Sequence, residues 1–378
     1  MLYLDHAATT EIRPETREAM EPFLDGLFGN PSGIHAVSRR AKNALEAARE
    51  LAAALLGTEH PLDIVFTGGG TEADNLAVVG SALAGGKRGG VVTTAVEHEA
   101  VLQSVDFLEA LGCRVDRVPV DRTGRITVAD LVARVDERTA VVSIMAGNNE
   151  TGTLFPVSRI AQAVRHAGQD ALVHTDAVQA FLTEEVTVAA TGADMISLAA
   201  HKFGGPKGVG LLVVPRRVEL EPVIHGGGQE LGRRSGTHNV AAIVGMVAAM
   251  EATVAARAET KTRIGGIRNE FETALAAAIP DLVINGDTEH RLAQHSHVRM
   301  PGVTAEDLLI RLDQEGVAAA AGSACSSGAI SVSHVLAAMG RSEQEAAECV
   351  RFSFGWSSSR ADGAEAARQV AAVAAGLR

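Results

Sequence analysis

Cysteine is scarce in this chain of 378 residues: Cys113, Cys325 and Cys349 are its only three, and none forms a C-x-x-C pair. That spacing suggests neither a disulfide framework nor a zinc knuckle. Basic charge is also short, with 34 Lys and Arg against 46 Asp and Glu and a formal net charge of −12. Direct, non-specific nucleic-acid binding works by displacing phosphate counterions, and this balance argues against it. Long apolar runs are missing too: the longest, Val240–Met250, stops at Glu251, short of the ~20 residues that span a bilayer. The opening Met-Leu-Tyr-Leu-Asp-His-Ala-Ala-Thr-Thr10 has no basic leader, so a cytoplasmic protein is expected, with no membrane partner. Proline is sparing, 11 against 39 Gly, and 46% of residues are hydrophobic, which suits a sizeable core and two domains.

Short β-branched runs alternate with helix-length segments through the middle of the chain. Asp63–Thr67, Gly90–Thr94, Ala140–Met145, Ala171–Thr175, Asp194–Leu198 and Gly210–Val214 read as strands, which predicts a mainly parallel α/β sheet. In such sheets ligands collect beyond the carboxyl ends of strands, so the polar residues after each run are the place to look. After about Ala252 the pattern changes to a long Ala- and charge-rich helix reaching about Ala278, then shorter elements. A second, smaller domain is expected there, completed by the N-terminal residues.

Lys202 follows the strand-like Asp194–Leu198 and precedes a glycine-rich turn. A partly desolvated amine in that position can lose its proton and form a Schiff base with a cofactor aldehyde, though a lysine before Gly-Gly-Pro also opens an ordinary solvated turn. Phe66-Thr-Gly-Gly-Gly-Thr-Glu-Ala-Asp-Asn75 leads from a strand into a helix, where free backbone N–H groups cup an anion or simply make a capped turn. It lacks both the P-loop ending and the G-x-G-x-x-G spacing, which disfavours nucleoside triphosphates and NAD. His98 stands at a helix start, fit to stack on an aromatic ring and shuttle protons or to act as a cap. Asp176, with Gln179 close behind, follows another strand; a buried Asp opposite a pyridine nitrogen keeps that ring protonated. Asn149 offers a neutral donor after Ala140–Met145, and Cys325 lies among small residues in Gly322-Ser-Ala-Cys-Ser-Ser327.

These residues resemble a known family. Tyr3-Leu-Asp-His-Ala-Ala-Thr-Thr10, Phe28-Gly-Asn-Pro-Ser32 with His35, Thr71-Glu-Ala-Asp-Asn75, Glu97-His98, Asn148-Asn-Glu150, His201-Lys202, His225-Gly-Gly-Gly-Gln-Glu230, Arg234-Ser-Gly-Thr237, Gly322-Ser-Ala-Cys-Ser-Ser327 and Arg351-Phe-Ser-Phe-Gly355 are similar to the signatures of the cysteine desulfurases. Those are pyridoxal-phosphate enzymes of the class V aminotransferase group with the aspartate-aminotransferase fold. The resemblance implies a large PLP-binding domain over residues 13–257. It also implies a smaller C-terminal α/β domain, formed by 1–12 with 258–378, that carries the Cys325 loop.

It further implies a role for each residue. Lys202 would hold PLP as a Schiff base, His98 would stack on the ring, Asp176 would pair with its nitrogen, and Gln179 and Asn149 would contact its 3-oxygen. Gly70, Thr71 and His201 would bind the phosphate, with Thr237 reaching it from the other subunit of a homodimer, and Arg351 would clamp the substrate carboxylate. L-Cysteine would displace Lys202, which would then take the Cα proton. The Cys325 thiolate would attack the substrate sulfur, becoming a persulfide for an acceptor such as an iron–sulfur scaffold or thiolation protein as alanine leaves. His98 would carry a proton, and no metal would be required, Cys325 being at most a transient iron–sulfur ligand. One departure stands out: many members have serine where this chain has Ala199, which removes a phosphate donor worth ~1.5–3 kcal/mol. A related selenocysteine or cysteine lyase, an aminotransferase, and a catalytically silent sulfur-relay or scaffold-binding protein remain as alternatives.

Overall fold

The computed structural model describes residues 1–168, 170–322 and 333–378. Cys325 therefore lies outside the described residues. The chain opens with β1 (Leu2–Tyr3), then lays down β2 (Ile64–Thr67), β3 (Gly90–Thr94), β4 (Val115–Val118), β5 (Thr139–Ser143), β6 (Leu172–Asp176), β7 (Met195–Ala199) and β8 (Gly210–Val213). It closes with β9 (Val283–Ile284), β10 (His295–Arg299), β11 (Val317–Ala318) and β12 (Cys349–Ser353). Among the described residues these strands make three sheets: a seven-stranded one ordered β2-β8-β7-β6-β5-β3-β4, a three-stranded one ordered β12-β10-β9, and the pair β1-β11.

The large sheet is parallel from β4 to β7, while β8 runs antiparallel between β7 and β2. Each of the six strand-like runs lies in it. The seventh strand, β4, reads Val-Asp-Arg-Val, and its two charges are tolerated because it sits at an edge. The strands alternate in the way a sheet covered on both faces requires. Ile64, Phe66, Val92, Ile196, Leu198, Leu211 and Val213 join one buried cluster, while Val65, Val91, Met195 and Leu212 join a second one. Helices Gly70–Leu83 and Glu99–Ala110 supply the second cluster with Leu76, Val79, Val101 and Leu108.

One helix, Val240–Ala278, runs for 39 residues without a break. It continues through Glu251, where the apolar run in the sequence stops, and also through residue 257, so the change of character there is compositional and leaves the backbone intact. By length and composition it could cross a membrane, yet half of its most apolar stretch is buried. Along its length it packs on helices Pro14–Leu24, Ala36–Leu56 and Arg360–Leu377. Cys113 and Cys349 are both free and buried.

Several histidines are buried as neutral rings. His297 on β10 is 1% exposed and lies opposite Arg351 of β12. Burial first, and then Arg351 and Arg341, drive it from 6.5 to about 3. Burial alone takes His174 to about 3 as well. As pH falls from about 6.5 towards 3, the unfolded chain takes up protons that these rings refuse in the fold, so stability falls across that window. The free energy of unfolding, measured by denaturant titration at successive pH values, should show this slope. His297→Asn, which cannot ionise, should flatten it.

Candidate active site

The carboxyl ends of β5, β6 and β7 and the start of helix Gly70–Leu83 enclose a cavity of about 210 Å³. Lining it are Gly70, Thr71, His98, Asn149, Asp176, Gln179, Ala199, His201 and Lys202, together with Ala8, Asp74, Met145, Gly147 and Val178. Eight expected cofactor residues therefore meet at one place. Thr237 and Arg351 are not among the lining residues. Thr237 lies on the exposed surface of its own chain, and Arg351 is buried behind Asn149.

Lys202 ends a single 3-10 turn, Ala200–Lys202, that follows β7 directly. Its Nζ donates to the carbonyls of Ala7 and Ala8 at 2.6 and 2.9 Å. The Ala7 carbonyl also accepts from Gln179 Nε2 at 3.0 Å, and Thr9 Oγ1 lies 3.2 Å from His201 Nδ1. The N-terminal segment thus forms one wall of the cavity, a role that its side chains alone do not announce. Asp176 ends β6; its Oδ1 accepts the Val178 N–H at 2.9 Å. Burial pushes this carboxyl up from its ordinary value, and His98 and Lys202 pull it back. His98 caps helix Glu99–Ala110 by accepting from Ala100 N at 3.1 Å, so the capping role and a place in the cavity coexist. Burial pushes His98 down, and Asp176 opposes this. His201 falls to about 4, chiefly through burial and then through Lys202 and Lys207.

The glycine cup is built by close approach. A side chain at Gly210 would put its Cβ 2.6 Å from the Gly69 carbonyl carbon, and one at Gly70 would lie 3.0 Å from Val178 Cγ2. The helix N-terminus is thereby drawn onto the sheet, with the Gly70 and Thr71 backbone facing the cavity, as anion binding requires. A wider space of about 810 Å³ opens beside it, lined by Gly68, Gly69, Glu72, Asn75, Lys207 and Ile224 among others. Arg234 reaches Glu72 there, Nε to Oε1 at 2.7 Å, which ties the segment carrying Thr237 to the glycine cup.

Arg351 donates to the Asn149 carbonyl at 2.9 Å and pairs with Asp5 Oδ1 at 2.8 Å, while its Nε is buried without a partner. The Asn149 side-chain oxygen is likewise buried and unpaired. Glu150, next along the turn, accepts from Ser333 Oγ at 2.5 Å. A Cβ at Gly322 would lie 3.1 Å from Glu150 Oε2. Both described flanks of the Cys325 segment therefore meet one buried carboxylate beside the cavity.

Sequence reasoning assigned no role to Asp74, Glu97, Asp5 or Glu150. Asp74 had a visible signal, an acid between Ala73 and Leu76 on an apolar helix. An uncommitted acceptor on Asn149 and donor on Arg351, a carboxyl beside an imidazole and an amine, and a helix N-terminus facing the same cavity make a site suited to a flat, anionic aldehyde cofactor with an aromatic nitrogen. Among the described residues no His, Cys, Asp or Glu cluster is arranged to hold a metal.

Comparison with known proteins agrees. The Aminotransferase class-V family model matches residues 2–363. The chain is 40% identical to the cysteine desulfurase IscS of Dictyoglomus turgidum over 362 residues, covering 96% of this chain and 91% of that one. It is 38% identical to the cysteine desulfurase NifS of Azotobacter vinelandii over 377 residues, covering 100% and 93%. Among solved structures, a NifS-like protein superposes with a TM-score of 0.92 at 33% identity, with 99% of each chain covered. Another, SspA in complex with cysteine, gives 0.80 at 33% identity, with 94% and 99% covered. With the family model, these relatives and the site geometry in agreement, the chain belongs to the cysteine desulfurases, pyridoxal-phosphate enzymes of the class-V aminotransferase family.

Proposed function

We propose that this cysteine desulfurase passes the sulfur of L-cysteine, as a persulfide on Cys325, to an acceptor protein of the iron–sulfur scaffold or thiolation kind. The observation that carries the residue assignments is the convergence of Lys202, Asp176, His98, Asn149, Gln179, His201, Gly70 and Thr71 on one cavity. When bound, pyridoxal phosphate supplies an electron sink for the carbon next to the substrate amine.

The remaining work falls to the chain. Lys202 anchors the cofactor through its amine and, once released, moves the Cα proton; the carbonyls of Ala7 and Ala8 hold that amine in place beforehand. Asp176 would set a negative charge opposite the ring nitrogen, and His98, which burial pushes down from 6.5, would lie against the ring and carry a proton. Gln179 and Asn149, which line the cavity, would donate to the ring oxygen. Gly70, Thr71 and His201 hold the phosphate, and with Ala199 in the wall no serine hydroxyl adds to them. Arg351 is the substrate-carboxylate clamp, its unpaired Nε a donor in reserve. Cys325 is the sulfur nucleophile; of the described residues on either side of it in sequence, Gly322 and Ser333 both meet Glu150.

The same reading makes the enzyme a cytoplasmic homodimer. Phe28, Ile34 and Leu231 are 79%, 90% and 63% exposed, large apolar side chains that a second copy would cover. Leu231, at φ 58°, is held in the left-handed region, and the adjacent Glu230 makes a buried ion pair with Arg49 at 2.8 Å. That pair fixes the segment leading to the exposed Thr237. A copy whose phosphate site borrows Thr237 fits the wide opening beside Gly70.

Three outcomes test this reading. Borohydride reduction of the yellow holoenzyme should place the cofactor adduct on Lys202 by mass spectrometry; an adduct on Lys207 would overturn the assignment. Cys325→Ser should keep the spectral response to L-cysteine while losing protein persulfide and alanine release, because a hydroxyl does not ionise as a thiol does. Near wild-type alanine release by that variant would favour a lyase that expels sulfide directly. Mixing inactive Lys202→Ala and Thr237→Ala subunits should restore part of the activity through hybrids with one intact site. Proven subunit exchange without recovery would remove Thr237 from the partner's site.

A further inference from the structure

Asp74 is a buried acid that the reaction outlined above does not use. It sits on helix Gly70–Leu83, is 1% exposed, and lines the same cavity as Asp176. Its Oδ1 has no hydrogen-bond partner. His174 Nε2 on β6 lies 3.7 Å from that oxygen. The ring itself is engaged on both sides, Nδ1 with Ser143 Oγ and Nε2 with Ser197 Oγ, each at 2.9 Å. Its burial keeps it neutral down to about 3, so it brings no positive charge. The Ser197 hydroxyl on β7 bonds the Asp74 carboxyl, and the other titratable groups that face it, Asp176 from β6 and Glu97 from the turn after β3, are acids.

The two aspartates share a cavity but not an environment. Asp176 accepts the Val178 N–H at 2.9 Å and has His98 and Lys202 beside it. Asp74 has one hydroxyl to set against full desolvation. Two buried carboxylates lining one cavity disfavour each other's ionisation, and the proton remains on the one with fewer partners for its charge. Burial first, and then the charge of Asp176, accordingly hold the Asp74 carboxyl well above the ordinary range.

We propose that Asp74 is a positioning residue for Asp176: it stays the neutral acid, so the pair carries one negative charge and that charge sits on Asp176, facing the cofactor ring nitrogen. Were Asp74 to ionise, its charge would hold a proton on Asp176 and remove the counter-ion from the ring. The inference rests on the assignment of Asp176 to the ring nitrogen, whereas the protonation of Asp74 can be read without any cofactor.

The test uses apo-protein with ¹³C-carboxyl aspartate and unlabelled glutamate, so that Glu97 is silent. At neutral pH one aspartic carboxyl should give the signal of the neutral acid. That signal should be lost in Asp74→Asn and retained in Asp176→Asn. If every aspartate in the wild-type chain is ionised at neutral pH, the proposal fails, whether or not the variants fold. In the cofactor-loaded protein, Asp74→Asn, a neutral isostere, should keep the ring absorption at its wild-type position across neutral pH, while Asp176→Asn shifts it. An equal shift in Asp74→Asn would mean that Asp74 carries charge towards the ring, and the proposal would fall even with the cofactor assignment intact.

Discussion

The pair of hydrogen bonds from Lys202 to the carbonyls of Ala7 and Ala8 is the constraint on which the rest of the site depends. An ammonium at the end of a buried strand needs acceptors, and a peptide carbonyl is an acceptor that carries no charge of its own. Supplying them from the N-terminal segment brings the other groups of that segment into register. Ala7 O also holds Gln179, Thr9 holds His201, Asp5 pairs with Arg351, and Ala7 N donates to Ser353 Oγ at 2.8 Å. Four of the residues from Asp5 to Thr9 thus join the carboxyl ends of β6 and β7 to β12 of the small sheet. The amine also acts on Asp176, whose carboxyl it pulls down against the effect of burial.

The site is otherwise rich in acids and poor in places to put their charge. Asp74, Glu97 and Asp176 are buried around it, and burial is the largest influence on each. Glu97, pushed up to about 8, spends its oxygens on the Met145 N–H and the Thr94 hydroxyl. It thereby fixes the strand end that precedes Asn148 and the turn that carries His98. A neutral carboxyl can do this structural work without competing for the cation that the ring nitrogen becomes. Under the proposal for Asp74, the negative charge that remains among these three acids is the one on Asp176.

Much of the sheet was legible because buried strands are written in β-branched residues with short punctuation, and Gly90–Thr94 coincides with its predicted run. β4 was not, since an edge strand with Asp116 and Arg117 has the composition of a loop. The reversed direction of β8 is equally silent: Gly-Leu-Leu-Val has the same residues whichever way it runs. In the site, side chains that follow strands could be read one by one, and eight of them share the cavity. The contribution of Ala7 and Ala8 could not, because a carbonyl acceptor is common to all residues. Nor could the tie between Arg351 and Asp5, two residues separated by nearly the whole chain.

Glu150 shows how the same economy extends to the sulfur-carrying segment. Its carboxylate is fully buried, receives Ser333 Oγ at 2.5 Å, and lies against Gly322. Ser333 in turn caps helix His334–Ala338, and His334 Nε2 reaches the Glu97 carbonyl at 2.9 Å. On the other flank, Ala320 exchanges backbone hydrogen bonds with Arg351 at 2.7 and 3.2 Å. The chain therefore leaves the small sheet at the substrate clamp and returns beside His98, with one acid between the two points.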